Sequence, residues 1–115
     1  MYLFKLIFFI FLIFASSISK ASVLDEVKQR GYLKCGVSEP TIGFSNIDDQ
    51  GNWKGFDVDI CKAIAVAIFG DPNQVEFIQT TNRSRFPVLF SGEVDLLSRI
   101  TTWTFSRDVN LEFEF

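Results

Sequence analysis

The clearest periodic pattern lies between residues 57 and 69, where apolar side chains recur at the spacing of an α-helix. The stripe that they form comprises Ile60, Cys61, Ile64, Ala65, Ile68 and Phe69. Asp57 can accept hydrogen bonds from the free N–H groups of the first turn, and Gly70 and Pro72 are typical of a helix end. The pattern therefore predicts a helix whose apolar stripe packs on a core.

Shorter patterns on both sides of this helix alternate between strand and helix periods. The predicted strands are Tyr32–Val37, Gln74–Ile78, Glu93–Leu97 and one that starts with the alternating residues Leu111–Phe115. The other predicted helices are Val23–Arg30, Ser84–Ser91 with Phe86, Leu89 and Phe90 turned inward, and one that begins at Thr104. Residues 44–52 are rich in Asn, Asp and Gly and predict a hairpin-like loop. Strands that alternate with helices predict an α/β fold with a parallel sheet of βαβ units and flanking helices.

The loops that follow the strands are the place to look for a ligand site, because open parallel sheets bind ligands beyond the carboxyl ends of their strands. These loops are Ser38–Gly43, Thr80–Asn82 and Ser98–Thr104. In the last of them, hydroxyl residues precede a helix that carries Arg107 in its first turn. Free N–H groups favour an anion there, and a guanidinium adds a two-pronged donor that matches a carboxylate. The alternative is that Thr104 only caps the helix and Arg107 pairs with a surface acid.

Residues 1–21 have the pattern of a secretory signal peptide. Lys5 precedes an apolar run that ends at Ala15, and Ser19 and Ala21 occupy the two small-residue positions of a cleavage site. A retained anchor is the alternative, but a spanning helix needs about 20 apolar residues and this run is shorter. We therefore expect cleavage after Ala21 and export.

Charge and composition narrow the function classes. The net charge is −3 and no basic cluster stands out, which argues against nucleic acid as a partner. Histidine, the commonest metal ligand and general base, is absent, and Glu39, Asp48 and Asp49 lack the spacing of a calcium loop. No metal or cofactor is predicted. Cys35 and Cys61 can form a disulfide in an exported chain or remain two buried thiols, since sequence does not give their separation.

Five short motifs occur in a fixed order along the chain. They are Gly36-Val37, the run from Gly51 to Asp59, Arg85-Phe86-Pro87, the run from Ser91 to Asp95, and Thr102-Trp103-Thr104-x-x-Arg107. Together they resemble the periplasmic amino-acid-binding proteins of ABC transporters, which have the type II periplasmic binding fold. The general L-amino-acid-binding branch has near counterparts of Cys35-Gly36-Val37, Asp59-Ile60-Cys61 and Ser98-Arg99-x-Thr101-Thr102-Trp103. The resemblance covers residues 23–115.

This resemblance implies an incomplete fold and a set of ligand-binding residues. Residues 22–115 would be the first part of lobe 1 of a two-lobe domain, with the second lobe absent. Arg107 would bind the α-carboxylate of an L-amino acid with help from the Thr102 N–H, while the Ile100 carbonyl and the Thr102 hydroxyl would face the ammonium. The family lines the pocket for the ligand side chain at the positions of Ser38, Thr41 and Asn82.

The implied function is capture of a small L-amino acid in the periplasm and its delivery to the membrane permease of an ABC transporter. The complete protein would be a monomer and would not be an enzyme. One alternative is a truncated, non-functional remnant of such a protein. Another is an enzyme on the same fold, such as a dehydratase or lyase, but the predicted loops offer only Glu39 as an acid.

Overall fold

The computed structural model describes residue 1 and residues 21–111 of the chain. Its helices are α1 (Val23–Arg30), α2 (Phe56–Phe69), α3 (Arg85–Phe90) and α4 (Phe105–Leu111). Its strands are β1 (Leu33–Ser38), β2 (Asn46–Ile47), β3 (Trp53–Lys54), β4 (Val75–Thr80) and β5 (Leu96–Leu97). Most of the predicted signal peptide, residues 2–20, and residues 112–115 of the predicted last strand lie outside the described residues.

The centre of the fold is a three-stranded parallel sheet in the order β4-β1-β5. The pairing of β1 with β4 runs in register from Leu33 opposite Val75 to Ser38 opposite Thr80. The middle strand β1 is almost entirely buried, because it has a neighbour on each side and α2 packed against it. All three strands point the same way, so their carboxyl ends meet at one edge, which confirms the predicted α/β class.

Helix α2 packs on the sheet through much of the predicted stripe. Cys61 and Ala65 are buried as predicted, but Val58 is also buried and Ile60 from the stripe is exposed. Because α2 is apolar on almost all sides, its sequence pattern does not determine which face packs inward. That face depends on the position at which the chain enters the helix. That entry is fixed at Gly55, whose φ is 126° and whose added Cβ would lie 2.3 Å from the Phe44 carbonyl oxygen.

The predicted capping role of Asp57 is wrong. Gly55 occupies the N-cap position of α2, and no side chain caps the helix. The Asp57 carboxyl group is instead buried, and its Oδ2 has no hydrogen-bond partner. Burial raises the pKa of Asp57, and the positive charge of Arg99 opposes this shift.

A disulfide between Cys35 and Cys61 joins β1 to α2, with a Cα–Cα distance of 6.2 Å. Both cysteines are fully buried in a core cluster with Val37 and Val58. Trp53 packs on this cluster, and its ring lies 6.1 Å from that of Phe77, centroid to centroid. The disulfide therefore lies just behind the edge at which the strands end.

The region after β4 departs most from the sequence prediction. Strand β5 has only two residues, and α3 buries none of its side chains; Phe90, predicted to face inward, is exposed. Leu111, predicted to begin a strand, continues α4. Alternation over five residues is a weak local signal, and the helix continues one residue into it. No helix in residues 21–111 is both long and apolar enough to cross a membrane.

Candidate functional site

The fold brings all three sequence-predicted loops to one edge of the sheet. Parallel pairing of β1 with β4 and β5 places the residues after Ser38, after Thr80 and after Leu97 side by side. Ser98 continues the β5 pairing by donating its N–H to the Gly36 carbonyl at 2.9 Å. At the opposite, amino end of the strands, the Asp95 carboxylate accepts from the Lys34 N–H at 2.7 Å and forms an ion pair with Arg30. These two contacts anchor the start of β5.

Arg107 lies at this edge, in the first turn of α4. Its Nη1 donates to the Thr102 carbonyl at 2.6 Å, and its guanidinium carbon lies 5.4 Å from the centroid of the Phe86 ring. The side chain is half-buried, and no carboxylate in the described part of the chain forms an ion pair with it. The guanidinium therefore keeps donors that a ligand anion can use.

The two residues predicted to act with Arg107 are exposed beside it. Ile100 is 54% exposed, and Thr102 is also exposed. Within residues 21–111, neither the Ile100 carbonyl nor the N–H and hydroxyl of Thr102 has a hydrogen-bond partner. A carbonyl acceptor, an N–H donor and a hydroxyl group, which can donate or accept, are thus available next to the guanidinium.

The three predicted side-chain-pocket residues are already engaged within the protein. Ser38 is buried, and its hydroxyl lies 2.6 Å from that of Ser45. The Thr41 hydroxyl donates to the Glu39 carbonyl at 2.9 Å. The Asn82 Oδ1 accepts from Arg99 at 2.8 Å. Ser38 and Thr41 belong to one loop, and Asn82 stands across the edge from them.

Arg99, whose role the sequence left open, links the ends of two strands. Its Nη1 donates to the Thr80 carbonyl, the Thr80 hydroxyl and the Thr81 carbonyl, all at 2.8–2.9 Å. Burial is the main reason why the pKa of Arg99 is lowered, and the charge of Arg85 adds to this, while Glu39 and Asp57 oppose it. Arg99 is therefore a positioning residue that holds the loop after β4 against the loop after β5.

Sequence analysis did not single out Arg85 as a site residue. Its half-buried guanidinium lies 5.0 Å from the centroid of the Phe86 ring, the same ring that Arg107 contacts. Burial lowers the pKa of Arg85, and repulsion from Arg107 lowers it further. The Arg85-Phe86-Pro87 motif was a signal for this residue, but the sequence did not show that α3 stands beside α4.

Comparison with known proteins gives concordant matches. The family model for bacterial extracellular solute-binding proteins, family 3, matches residues 33–114. The general L-amino acid-binding periplasmic protein AapJ of Rhizobium johnstonii is 50% identical over 100 residues, which are 87% of this chain and 29% of that protein. The chain thus spans less than a third of that relative's length. The curated relatives AapJ, BztA, YhdW and GlnH are named as binding proteins.

Two solved structures resemble the fold. A periplasmic binding protein of an ABC transporter from Brucella ovis, with glutathione bound, has a TM-score of 0.77 and 52% identity, and the match covers 80% of this chain and 29% of that one. The arginine-bound form of domain 1 from TmArgBP has a TM-score of 0.65 and 33% identity, with 74% of this chain and 65% of that one covered. The part of the chain that these matches cover therefore has the fold of part of one lobe of such proteins.

Proposed function

As this chain belongs to the bacterial extracellular solute-binding proteins of family 3, we propose that it binds a small L-amino acid in the periplasm and delivers it to an ABC transporter. The name of AapJ, which shares half of its aligned residues with the chain, supports an amino acid as the ligand. On this proposal, residues 1–21 are the export signal, removed after Ala21, and residues 22–115 are the first part of lobe 1. The membrane permease is the partner.

The observation that carries this proposal is the guanidinium of Arg107 at the carboxyl end of the sheet, which forms no ion pair with any carboxylate in residues 21–111. The free donors of Arg107 and the Thr102 N–H bind the α-carboxylate. The Ile100 carbonyl and the Thr102 hydroxyl accept from the α-ammonium. A charge-assisted hydrogen bond of this kind contributes about 1.5–3 kcal/mol, which is enough to make Arg107 the main anchor.

A single lobe can hold a ligand in a related protein, since domain 1 of TmArgBP has been solved in an arginine-bound form. The groups assigned above lie in the loop after β5 and in the first turn of α4, and so within a single lobe on this proposal. We therefore expect weak binding of an amino acid by this chain itself. Closure of two lobes, which excludes water, would increase the affinity.

Replacing Arg107 tests the proposal. In isothermal titration calorimetry of the full chain with L-alanine, L-glutamine, L-glutamate and L-arginine, each alone, Arg107→Ala should weaken every measurable affinity by at least about tenfold, because the carboxylate loses its charged partner. Arg83→Ala is the matched control, since Arg83 is exposed in the loop before α3 and makes only a backbone hydrogen bond. Affinities that survive Arg107→Ala would contradict the assigned role, and a wild-type chain that binds none of the four would contradict the function.

A further inference from the structure

We propose that the site selects L-amino acids with an acidic side chain, and that Arg85 binds their second carboxylate. This inference rests on the proposed function, because it takes Arg107 as the partner of the α-carboxylate. It assigns to Arg85 a specificity role that neither the sequence motifs nor the family resemblance gives to it.

The first argument is the shared position of the two guanidiniums. Arg85 and Arg107 contact the same aromatic ring, at 5.0 and 5.4 Å from its centroid, and each therefore lies beside Phe86. Repulsion from the Arg107 charge is one cause of the lowered pKa of Arg85, after burial. A ligand whose first carboxylate is held by Arg107 thus has Arg85 within reach of a short side chain.

The second argument is that the guanidinium of Arg85 has no polar partner. None of the hydrogen bonds or ion pairs among residues 21–111 involves its guanidinium, and its buried Nε is unpartnered. Arg99, on the same edge, differs because two of its nitrogens are engaged by the Thr80, Thr81 and Asn82 oxygens. A half-buried guanidinium with unused donors is costly unless something that comes from outside the chain binds it.

The third argument is the local balance of charge. Glu39 and Asp57 oppose the lowering of the Arg99 pKa, whereas no carboxylate is among the causes of the lowered Arg85 pKa. Within residues 21–111, no carboxylate forms an ion pair with Arg85 or Arg107. A neutral amino acid brings one carboxylate and one ammonium, so its net charge is zero and the excess positive charge at Arg85 remains. Glutamate or aspartate brings one further negative charge and offsets it.

L-Glutamate and L-glutamine have nearly the same shape and test the inference directly. The full chain should bind glutamate about tenfold more tightly than glutamine, as measured by calorimetry or by a heteronuclear NMR titration at millimolar ligand. The Nε–H resonance of Arg85 should shift with glutamate and not with glutamine. Arg85→Gln should remove the preference by weakening glutamate binding about tenfold while leaving glutamine binding unchanged. Arg83→Gln is the matched control and should keep the preference.

The possible outcomes separate this inference from the function that it rests on. Equal affinities for the two ligands in the wild-type chain would overturn the role of Arg85 and leave amino-acid binding intact. If Arg85→Gln lowers the affinity for glutamate and for glutamine equally, the specificity role of Arg85 would also be overturned, because the α-carboxylate would then bind both Arg85 and Arg107. Failure to bind either ligand would overturn this inference, and failure to bind L-alanine and L-arginine as well would overturn the proposed function.

Discussion

At the scale of single residues, Asp57 shows how burial can reverse the role that a sequence suggests. Its position at the start of α2 is typical of a capping residue, but its carboxyl group lies in the interior without a partner for Oδ2. Desolvation penalises the charged form, so the pKa of Asp57 is raised even though Arg99 attracts the carboxylate. The folded chain therefore holds the Asp57 proton more tightly than the unfolded chain does.

This difference predicts a pH effect on stability. As pH rises from the usual aspartate pKa to the raised value, the unfolded chain releases the proton first, so the free energy of unfolding should fall. In Asp57→Asn this fall should be absent. The free energy of unfolding of the variant should therefore increase relative to that of the wild type as pH rises. Urea unfolding at several pH values checks this prediction.

The neighbouring Asp59 supplies the control for this measurement. It is exposed in the same turn of α2, so Asp59→Asn should keep the wild-type pH profile. If the free energy of unfolding of Asp57→Asn depends on pH in the same way as that of the wild type, Asp57 has the same pKa in the folded and the unfolded chain.

At the scale of elements, β1 is the strand on which the site depends, and Gly36 is its tightest point. A Cβ added at Gly36 would lie 2.6 Å from the Leu97 Cδ2 and 3.3 Å from the Thr80 Cγ2. Both contacts belong to the neighbouring strands β5 and β4, whose ends carry the loops with Arg99 and Asn82. The absence of a side chain at Gly36 therefore allows the three strands to approach and end together.

Gly36→Ala should lower the free energy of unfolding by about 1–3 kcal/mol, because the Leu97 side chain must move out of a packed position. Leu97→Val removes the carbon that the new methyl group meets. The double variant should therefore lose less than the sum of the two single changes in urea unfolding. Strictly additive losses would mean that the contact with Leu97 does not limit this position.

At the scale of the whole molecule, the disulfide links the two layers that hold the site. Cys35 lies on the middle strand and Cys61 on α2, and 26 residues separate them in the sequence. Only eight apolar residues in residues 21–111 are buried. Such a small core gives limited stability, so a covalent link between sheet and helix has a large effect.

Replacing both cysteines, as Cys35→Ala with Cys61→Ala, should lower the free energy of unfolding by about 3.5 kcal/mol, since the unfolded chain gains the entropy of an open loop. Urea unfolding with and without a thiol reductant checks this. The reductant should destabilise the wild-type chain and leave the double variant unchanged. Equal stability of the wild type and the double variant without reductant would contradict the prediction.

Local sequence signals were sufficient for the order of the elements. The predicted bounds of α1 coincide with the observed ones, and Gly70 correctly indicated the end of α2. Strand and helix periods alternated clearly enough to give a parallel sheet, and hence the edge where Arg107, Thr102 and Ile100 lie. These signals act between residues close together in the chain, so the sequence displays them directly.

Only the tertiary structure decided which polar groups at that edge already have hydrogen-bond partners within the protein. The bonds of Arg99 reach across 19 residues to Thr80, and Arg107 of α4 comes near Arg85 only because its guanidinium contacts the Phe86 ring of α3, which Arg85 also contacts. The inward face of α2 likewise depended on the close approach of Gly55 to Phe44. Each of these contacts joins residues from different elements or loops. A periodic pattern describes only neighbouring positions in the chain, so it does not predict which of these residues meet.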